Sequence, residues 1–454
     1  MIPRSGTSGI LWPAVPEPAA ACLLAVQHQL SQSQWLPPAD LERRQFQALG
    51  RMLEHARGTV PFYRDGAAYA GAPHGRAPTR ADWADLPILT RADVQDAGDT
   101  LVSVDIPADH LPLREVFTSG STGRPLRSVG TLVTHVFWLA ITLRDHKWHG
   151  RDLTGTLAAI RPDRSGTVPP TGRVDNGWGP ATDLVFETGP CAVLGVEQDV
   201  PVQADWLTGQ DPDYLLSLPS NLLALAQHFL ATGRTLPRLR EVRSYGEVLG
   251  SGVRPACEEA WGAKVVDMYS TQELGYVALQ CPLHDSYHVQ AETVYVEVVD
   301  EDGRACGPGE TGRVVVSALH NFAMPLFRYE VGDYAEVGDV CPCGRGLPVL
   351  NRIMGRQRNM LTLPTGRRFW PTFGAAWRDT DVIRQFQLVQ REPDHIEARI
   401  VGPRPMTAEE EGRFRDNLAA RLGYPFKVSF LYLDRIERDR SLKFEDFVSL
   451  VPER

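Results

Sequence analysis

The chain has 454 residues, is 43% hydrophobic and 23% charged, and carries a formal net charge of −9. That length allows two or three domains, and the composition is that of a globular protein with a large core. The acidic balance argues against nucleic acid or an anionic membrane as the partner, since both demand a basic field, and no apolar run approaches the roughly 18 residues that span a bilayer.

Residues 1–20 read as a loose arm. The apolar patches of MIPRSGTSGILWPAVPEPAAACLLAV are broken by Pro13, Pro16, Glu17 and Pro18, and no clean cleavage site follows, which argues against a signal peptide. The seven cysteines are odd in number and irregularly spaced. They form no disulfide framework and fit a reducing cytoplasm. Cys22, Cys191, Cys257 and Cys306 read as small buried hydrophobes. The stretch ADLERRQFQALGRMLEHAR (39–57) has apolar residues at helical spacing, with Asp40 as a candidate cap. A Pro/Gly/Ala-rich loop follows at 66–80.

From about residue 111 helix-like and strand-like segments alternate. Examples are the apolar run Thr131–Leu143, a helical Tyr214–Leu230, EVRSYGEVL as a strand entering a loop, and AKVVDMYS as a strand. This alternation predicts α/β layers. After 275, YHVQAETVYVEVVD and GRVVVSAL alternate with period two around the turn signal DEDGRACGPGE, which predicts an antiparallel β region. PRPMTAEEEGRFRDNLAARLG reads as a helix and KVSFLYLDRIE as a strand. The expected fold class is therefore α/β: a large N-terminal domain (1–356) of layered α/β with an antiparallel β region, and a small, mobile α+β C-terminal domain (357–454).

Five short stretches carry candidate chemistry. FTSGSTGRPLRS (117–128) packs glycines among hydroxyl residues. Glycines permit positive φ, which turns successive N–H groups toward one point and makes a nest for phosphate. The bland alternative is a solvated turn. DMYSTQELG (267–275) runs a strand into a polar turn holding Tyr269, Thr271 and Glu273. An aromatic ring can stack on a base and a carboxylate can hold Mg2+ beside phosphate; a capped β-turn is the alternative. In PLFRYEVGDY (325–334), Asp333 follows a glycine after a strand, where a carboxylate can accept two ribose hydroxyls. RIMGRQR (352–358) and RSLKFEDF (440–447) contribute Arg356 and Lys443, cations able to meet phosphoryl charge.

A metal site is a separate expectation. CPLHDSYH (281–288) and CPCG (341–344) offer thiols and imidazoles enough for four Zn2+ ligands. Cys341 and Cys343 form the firmer pair and Cys281 the third ligand. His288 is preferred to His284, because it begins a strand opposite Cys281 if the segment is a hairpin. A closed four-ligand site is structural. Trp148, Trp178 and Phe186 are candidates for an aromatic slot, and His135, His146 and His149 lie on a helix-like run.

The order TSGSTG, GEVL, YSTQE, RYEVGD, GR, near-terminal Lys resembles the adenylate-forming superfamily of acyl-CoA synthetases and peptide-synthetase adenylation domains. VPFYR (60–64), LPILTRADV (86–94), TSGSTGRPL (118–126), MPLFRYEVGD (324–333) and CPCGR…RIMGR (341–356) resemble its phenylacetate–CoA ligase branch, over roughly residues 40–450. The same Cys/His pattern occurs in many relatives of that branch. The resemblance implies that Thr118, Ser119, Gly120, Ser121, Thr122 and Gly123 cradle the ATP phosphates, and that Gly246 and Glu247 border the adenine. It implies that Tyr269 stacks on the adenine, that Ser270 and Thr271 contact phosphate, and that Glu273 holds magnesium. Asp333 would bind the ribose with Arg356 nearby, and Lys443 would complete the adenylating site. Family loops often end in Pro-Lys, whereas Pro125 here precedes Leu126 and Arg127. That lysine's role is lost or passes to Arg127.

The implied function is Mg2+- and ATP-dependent activation of a carboxylic acid, aromatic by resemblance, to an acyl-AMP that then passes to coenzyme A. An amine or carrier-protein acceptor stays open, as does a non-catalytic nucleotide-binding relative or a zinc-organised interaction protein. The oligomeric state, a homodimer included, is not set by the sequence.

Overall fold

The structure is a computed structural model that describes residues 3–117, 125–163, 165–371, 373, 382–436 and 444–451. The chain divides into two compact units. One comprises Met1–Thr156, Asp175–Cys191 and Met268–Ile353; the other comprises Leu157–Val174, Ala192–Asp267 and Met354–Arg454.

The first unit opens with the helices Pro18–Ser33 and Pro38–Thr59. Proline sets both starts, since its missing N–H would have no partner in a first turn. Asp40 is not the cap expected of it. Pro37 holds the N-cap position, and Asp40 pairs with Arg43 at 2.7 Å within the same helix. The N-terminal arm is tied down: the Arg4 N–H donates to the Val185 carbonyl at 2.7 Å, and Pro3 bridges Phe186. Leu49, Met52, Leu53 and Ala56 recur at helical spacing on the buried side of the second helix and pack in one core with Trp83, Phe327 and Tyr329. Cys22 is exposed on the first helix and Cys306 is half-buried, so neither is the core residue expected; Cys191 and Cys257 are buried.

Arg328 organises the surroundings of that core. It is a non-glycine residue at φ +46°, a conformation held only where the surroundings over-determine it. Its N–H donates to Ser317 Oγ at 2.9 Å, and its guanidinium meets Glu297 and the carbonyls of Ala84 and Leu86. Its own carbonyl accepts from Leu89 N–H at 2.9 Å. The segment 86–91 is thereby docked along the start of the strand Tyr329–Val337.

The antiparallel region is as expected. Its hydrogen-bonded order is Val294–Val299, Thr311–Ala318, Tyr329–Val337, Val349–Arg356, Tyr287–Val289, Gly275–Gln280. Asp333 does not follow a strand, as expected, but lies inside Tyr329–Val337. Register slips there between Arg313↔Tyr334 and Val315↔Glu330, with Gly332 at φ +84°. The result is a bulge, a device that re-aims a side chain without ending the strand.

In the second unit the parallel strands Leu157–Arg161, Tyr214–Ser217 and Glu241–Tyr245 lie side by side, with Leu157↔Tyr214 and Tyr214↔Glu241 as partners. They are buried on both faces, as parallel strands are. The stretch Tyr214–Leu230, read as one helix, is a strand and then the helix Pro219–Thr232. Pro219 explains the break: the residue before proline is pushed to extended geometry, here Leu218 at φ −71°, ψ 142°. A separate four-stranded sheet is ordered Lys427–Leu433, His395–Val401, Gln385–Glu392, Phe447–Ser449. The helix Ala408–Leu422, started by a Thr407/Glu410 capping box, buries Phe414, Leu418 and Leu422 in a core with Leu388, Ile396 and Phe447. Among the described residues no helix is long and apolar enough to cross a membrane.

Candidate functional site

The strand Lys264–Thr271 continues through Tyr269, Ser270 and Thr271, and residues 272–274 then make a tight hairpin into Gly275–Gln280. Thr271 Oγ1 accepts the Leu274 N–H at 3.1 Å, and Gly275 takes φ +76° to reverse the chain. Tyr269 and Thr271 are therefore strand residues rather than turn residues. Only Glu273 stands at the tip.

Within the same unit the phenol of Tyr269 donates to Asp333 Oδ2 at 3.0 Å, joining two motifs 64 residues apart. The bulge at Gly332 makes that contact available, and the buried Tyr269 ring belongs to the apolar core of the β region. Glu273 pairs with Arg91 at 3.4 Å, and its carbonyl accepts from Ser128 Oγ at 3.4 Å. Ser128 lies on the strand Arg127–Gly130, and belongs to the stretch FTSGSTGRPLRS. Arg91 was given no role from the sequence; its signal was membership of the LPILTRADV stretch. Arg127 is engaged by Glu115 and Asp99, each at 2.6 Å, so a phosphate would have to draw it from both.

In the second unit Gly246 takes φ +80° at the end of Glu241–Tyr245. The carboxylate of Glu247 that follows accepts two main-chain N–H groups, from Ser220 at 2.9 Å and from Phe444 at 2.7 Å. Arg356 closes the strand Val349–Arg356; its N–H donates to Asn359 Oδ1 at 3.2 Å and its carbonyl accepts from Trp370 Nε1 at 3.3 Å. The turn Gln357–Asn359 is anchored by Arg358 to Glu445 at 2.9 Å and by Asn359 to the Phe447 carbonyl at 2.8 Å. Thr118–Gly123 and Lys443 lie outside the described residues.

Cys281, His288, Cys341 and Cys343 come together, their ligand atoms all within 4.8 Å of one another. Cys281 and Cys341 sulfurs are 3.8 Å apart, and Cys343 Sγ is 3.2 Å from His288 Nε2. Tetrahedral zinc at its usual bond lengths sets sulfurs about 3.8 Å apart, so the donor set fits the ion in both number and spacing. His288 stands opposite Leu279 in the hairpin that also carries Cys281. Burial, with the Arg345 charge second, pushes the His288 imidazole down to about 4, which leaves its lone pair free at neutral pH. Burial raises the Cys281 thiol to about 11. Burial also opposes the Cys343 thiolate, but hydrogen bonds from Arg345 and the neighbouring cysteines hold that thiol below its ordinary value. Arg345, directly after Cys-Pro-Cys-Gly, was missed from the sequence. It stacks over Trp35 and Trp148, 4.9 and 4.5 Å from the ring centroids, and Trp148 meets His288 edge-on.

Trp148 thus belongs to the surroundings of the cysteine cluster. Trp178 bonds the Gly155 carbonyl at 2.9 Å and meets the buried His146, and Phe186 is buried near the N-terminal arm. His146 and His149 pack around the buried pair Asp145–Arg151.

Residues 372–449 match the family model described as CapK C-terminal domain. A phenylacetate-coenzyme A ligase of Thermus thermophilus is 27% identical over 372 residues, which is 78% of this chain and 79% of that protein. One from Escherichia coli is 25% identical over 344 residues, 71% of this chain and 73% of that one. Among solved structures, a 2-hydroxyisobutyryl-CoA ligase in the postadenylation state, in complex with R3-HIB-AMP, superposes with a TM-score of 0.73. It is 20% identical and the match covers 92% of this chain and 91% of that one, a likeness of fold.

Proposed function

We propose that this chain, a relative of the phenylacetate–coenzyme A ligases with the fold of adenylate-forming acyl-CoA ligases, is an ATP-dependent ligase that activates an aromatic carboxylic acid and passes it to coenzyme A. The observation that carries the reading is the Tyr269–Asp333 hydrogen bond. It supports a surface on which an adenine lies against Tyr269 while Asp333 accepts ribose hydroxyls. Glu273, at the tip of the same hairpin, would hold Mg2+, which when bound neutralises charge on the phosphates.

In the first step a carboxylate oxygen of the acid attacks the α-phosphorus of ATP. The bond to the pyrophosphate oxygen breaks, leaving acyl-AMP and pyrophosphate. Little covalent chemistry is asked of the protein; it aligns the two reactants and stabilises growing charge. Thr118–Gly123 would cradle the phosphates, with Ser270, Thr271 and Arg127 contributing contacts. Gly246 would border the adenine and Arg356 would reach the ribose or phosphate. In the second step the thiol sulfur attacks the acyl carbon, loses its proton, and AMP departs. The portion from 357 to 454 would turn about Gln357–Asn359 between the steps. Zinc held by Cys281, His288, Cys341 and Cys343 would tie two loops together and take no part in the chemistry. The free thiols of the described chain fit a cytoplasmic setting.

The test is mass spectrometry of the products formed from ATP, a panel of aryl and alkyl acids, and coenzyme A, amines or a carrier protein, with pyrophosphate release followed in parallel. A coenzyme A thioester of an aryl acid is expected. ATP binding without pyrophosphate release from any acid would reduce the chain to a nucleotide-binding relative. Lys443→Ala is expected to slow adenylate formation about 100-fold while ATP affinity holds within about threefold. Undiminished hydroxamate formation in that variant would remove Lys443 from the mechanism.

A further inference from the structure

We propose that Glu247 is a positioning residue for adenylation, acting by anchoring the chain immediately after Lys443. The inference rests on the ligase reading above. The resemblance places Glu247 beside the adenine, but its carboxylate is engaged with protein on both oxygens.

One oxygen accepts Ser220 N–H at 2.9 Å. Ser220 is the second residue of the helix Pro219–Thr232, whose N-cap, Leu218, supplies no side-chain cap. Glu247 is thus a cap donated from a distant loop, and a carboxylate there is favoured by the positive end of the helix dipole. The carboxylate is thereby held in place. Gly246, at φ +80°, makes the sharp exit from the strand that brings it there.

The other oxygen accepts Phe444 N–H at 2.7 Å. That nitrogen opens the described stretch 444–451, and Phe444 directly follows Lys443 in the sequence. The next residues are held elsewhere. Arg358 pairs with Glu445, Gln387 Nε2 donates to the Glu445 carbonyl at 3.0 Å, and Phe447 pairs with Leu388 in parallel register. The far side of the segment is therefore stitched to the Gln357–Asn359 turn and the C-terminal sheet, and Glu247 sets its near end. A charge-assisted bond to an amide is among the stronger single contacts available for this. A misplacement of about 1 Å in a group that must meet the reacting phosphate can cost about 100-fold in rate.

Glu247→Ala is expected to lower adenylate formation by about 10- to 100-fold. Thioester formation from supplied acyl-adenylate, for which adenylation geometry is not needed, should change less than about threefold, and so should the ATP dissociation constant. Hydrogen exchange at the Phe444 amide should quicken by at least about tenfold. Added to Lys443→Ala, the substitution should cause no further loss, as for two residues acting through one contact. Glu247→Gln keeps one acceptor and should fall between wild type and Ala, which covers the case of a poorly folded Ala variant. A drop in ATP affinity that accounts for the lost rate would assign Glu247 to the nucleotide and overturn the proposal. Unchanged exchange at Phe444, or full additivity with Lys443→Ala, would overturn it as well. If wild type makes no adenylate from any acid, the ligase reading fails, and the exchange measurement still decides whether Glu247 is an anchor.

Discussion

Glu273→Gln is expected to slow acid-dependent pyrophosphate release about 1,000-fold and to raise the magnesium concentration needed for what activity remains. The substitution keeps size and hydrogen bonding but removes the charge. In the free protein that charge is met by Arg91 at 3.4 Å. Arg91 and a divalent ion would thus compete for one carboxylate. The hairpin itself should survive: its turn is made by Thr271 and Gly275, not by the Glu273 side chain. The Arg91–Glu273 pair is partly open to water on the arginine side, so its loss should cost under about 1 kcal/mol. Steady-state rates across a magnesium series, with a thermal melt as control, decide the matter. A variant with wild-type rate and wild-type magnesium dependence would remove Glu273 from the metal role.

Cys341→Ser is expected to reduce bound zinc from one per chain toward none and to destabilise the unit that holds it by about 3 kcal/mol or more. For a unit of this size that is a fall of roughly 6–12 °C in the melting midpoint. Cys341 and Cys281 are buried beside each other with sulfurs 3.8 Å apart, a spacing that two ligands of one tetrahedral ion require. Without metal, burial keeps the Cys281 thiol protonated up to about 11. Binding must therefore release its proton, and affinity should rise with pH. His288, pushed down to about 4 by burial, competes with protons only in strong acid, so acid loss of metal should be governed by the thiols. Elemental analysis together with calorimetry checks both effects. One zinc per chain persisting in Cys341→Ser would refute the assignment, and unchanged turnover after metal removal at low temperature would support a structural role.

Local chemistry was legible in the sequence wherever one segment decides its own conformation. Period-two alternation marked the antiparallel strands, and the pattern of PRPMTAEEEGRFRDNLAARLG marked the late helix. The candidate metal ligands could be named because thiol and imidazole are rare, and two thiols one residue apart have few other uses. Where two readings shared a hydrophobic pattern, the pattern misled. Tyr214–Ser217 is apolar enough for either a strand or a helix; Pro219 separates it from the helix that follows, and the neighbouring parallel strands pair with it as a strand.

What tertiary structure decided is everything that depends on residues distant in the chain. Asp333 became a partner of Tyr269 only because a bulge opposite Arg313–Val315 turned it, and that register is a property of two strands. Glu247 was readable as a residue of a nucleotide motif. Its actual partners, the amides of Ser220 and Phe444, lie 27 and 197 residues away, at a separation that periodicity and spacing do not encode. Arg91 and Arg345 carried no role in the sequence reading; Glu273 and the cysteine cluster stand beside them in the structure. Sequence pattern determines which backbone conformations each segment prefers. Which charges meet is set by burial, where a cation or carboxylate left without a partner is too costly to keep.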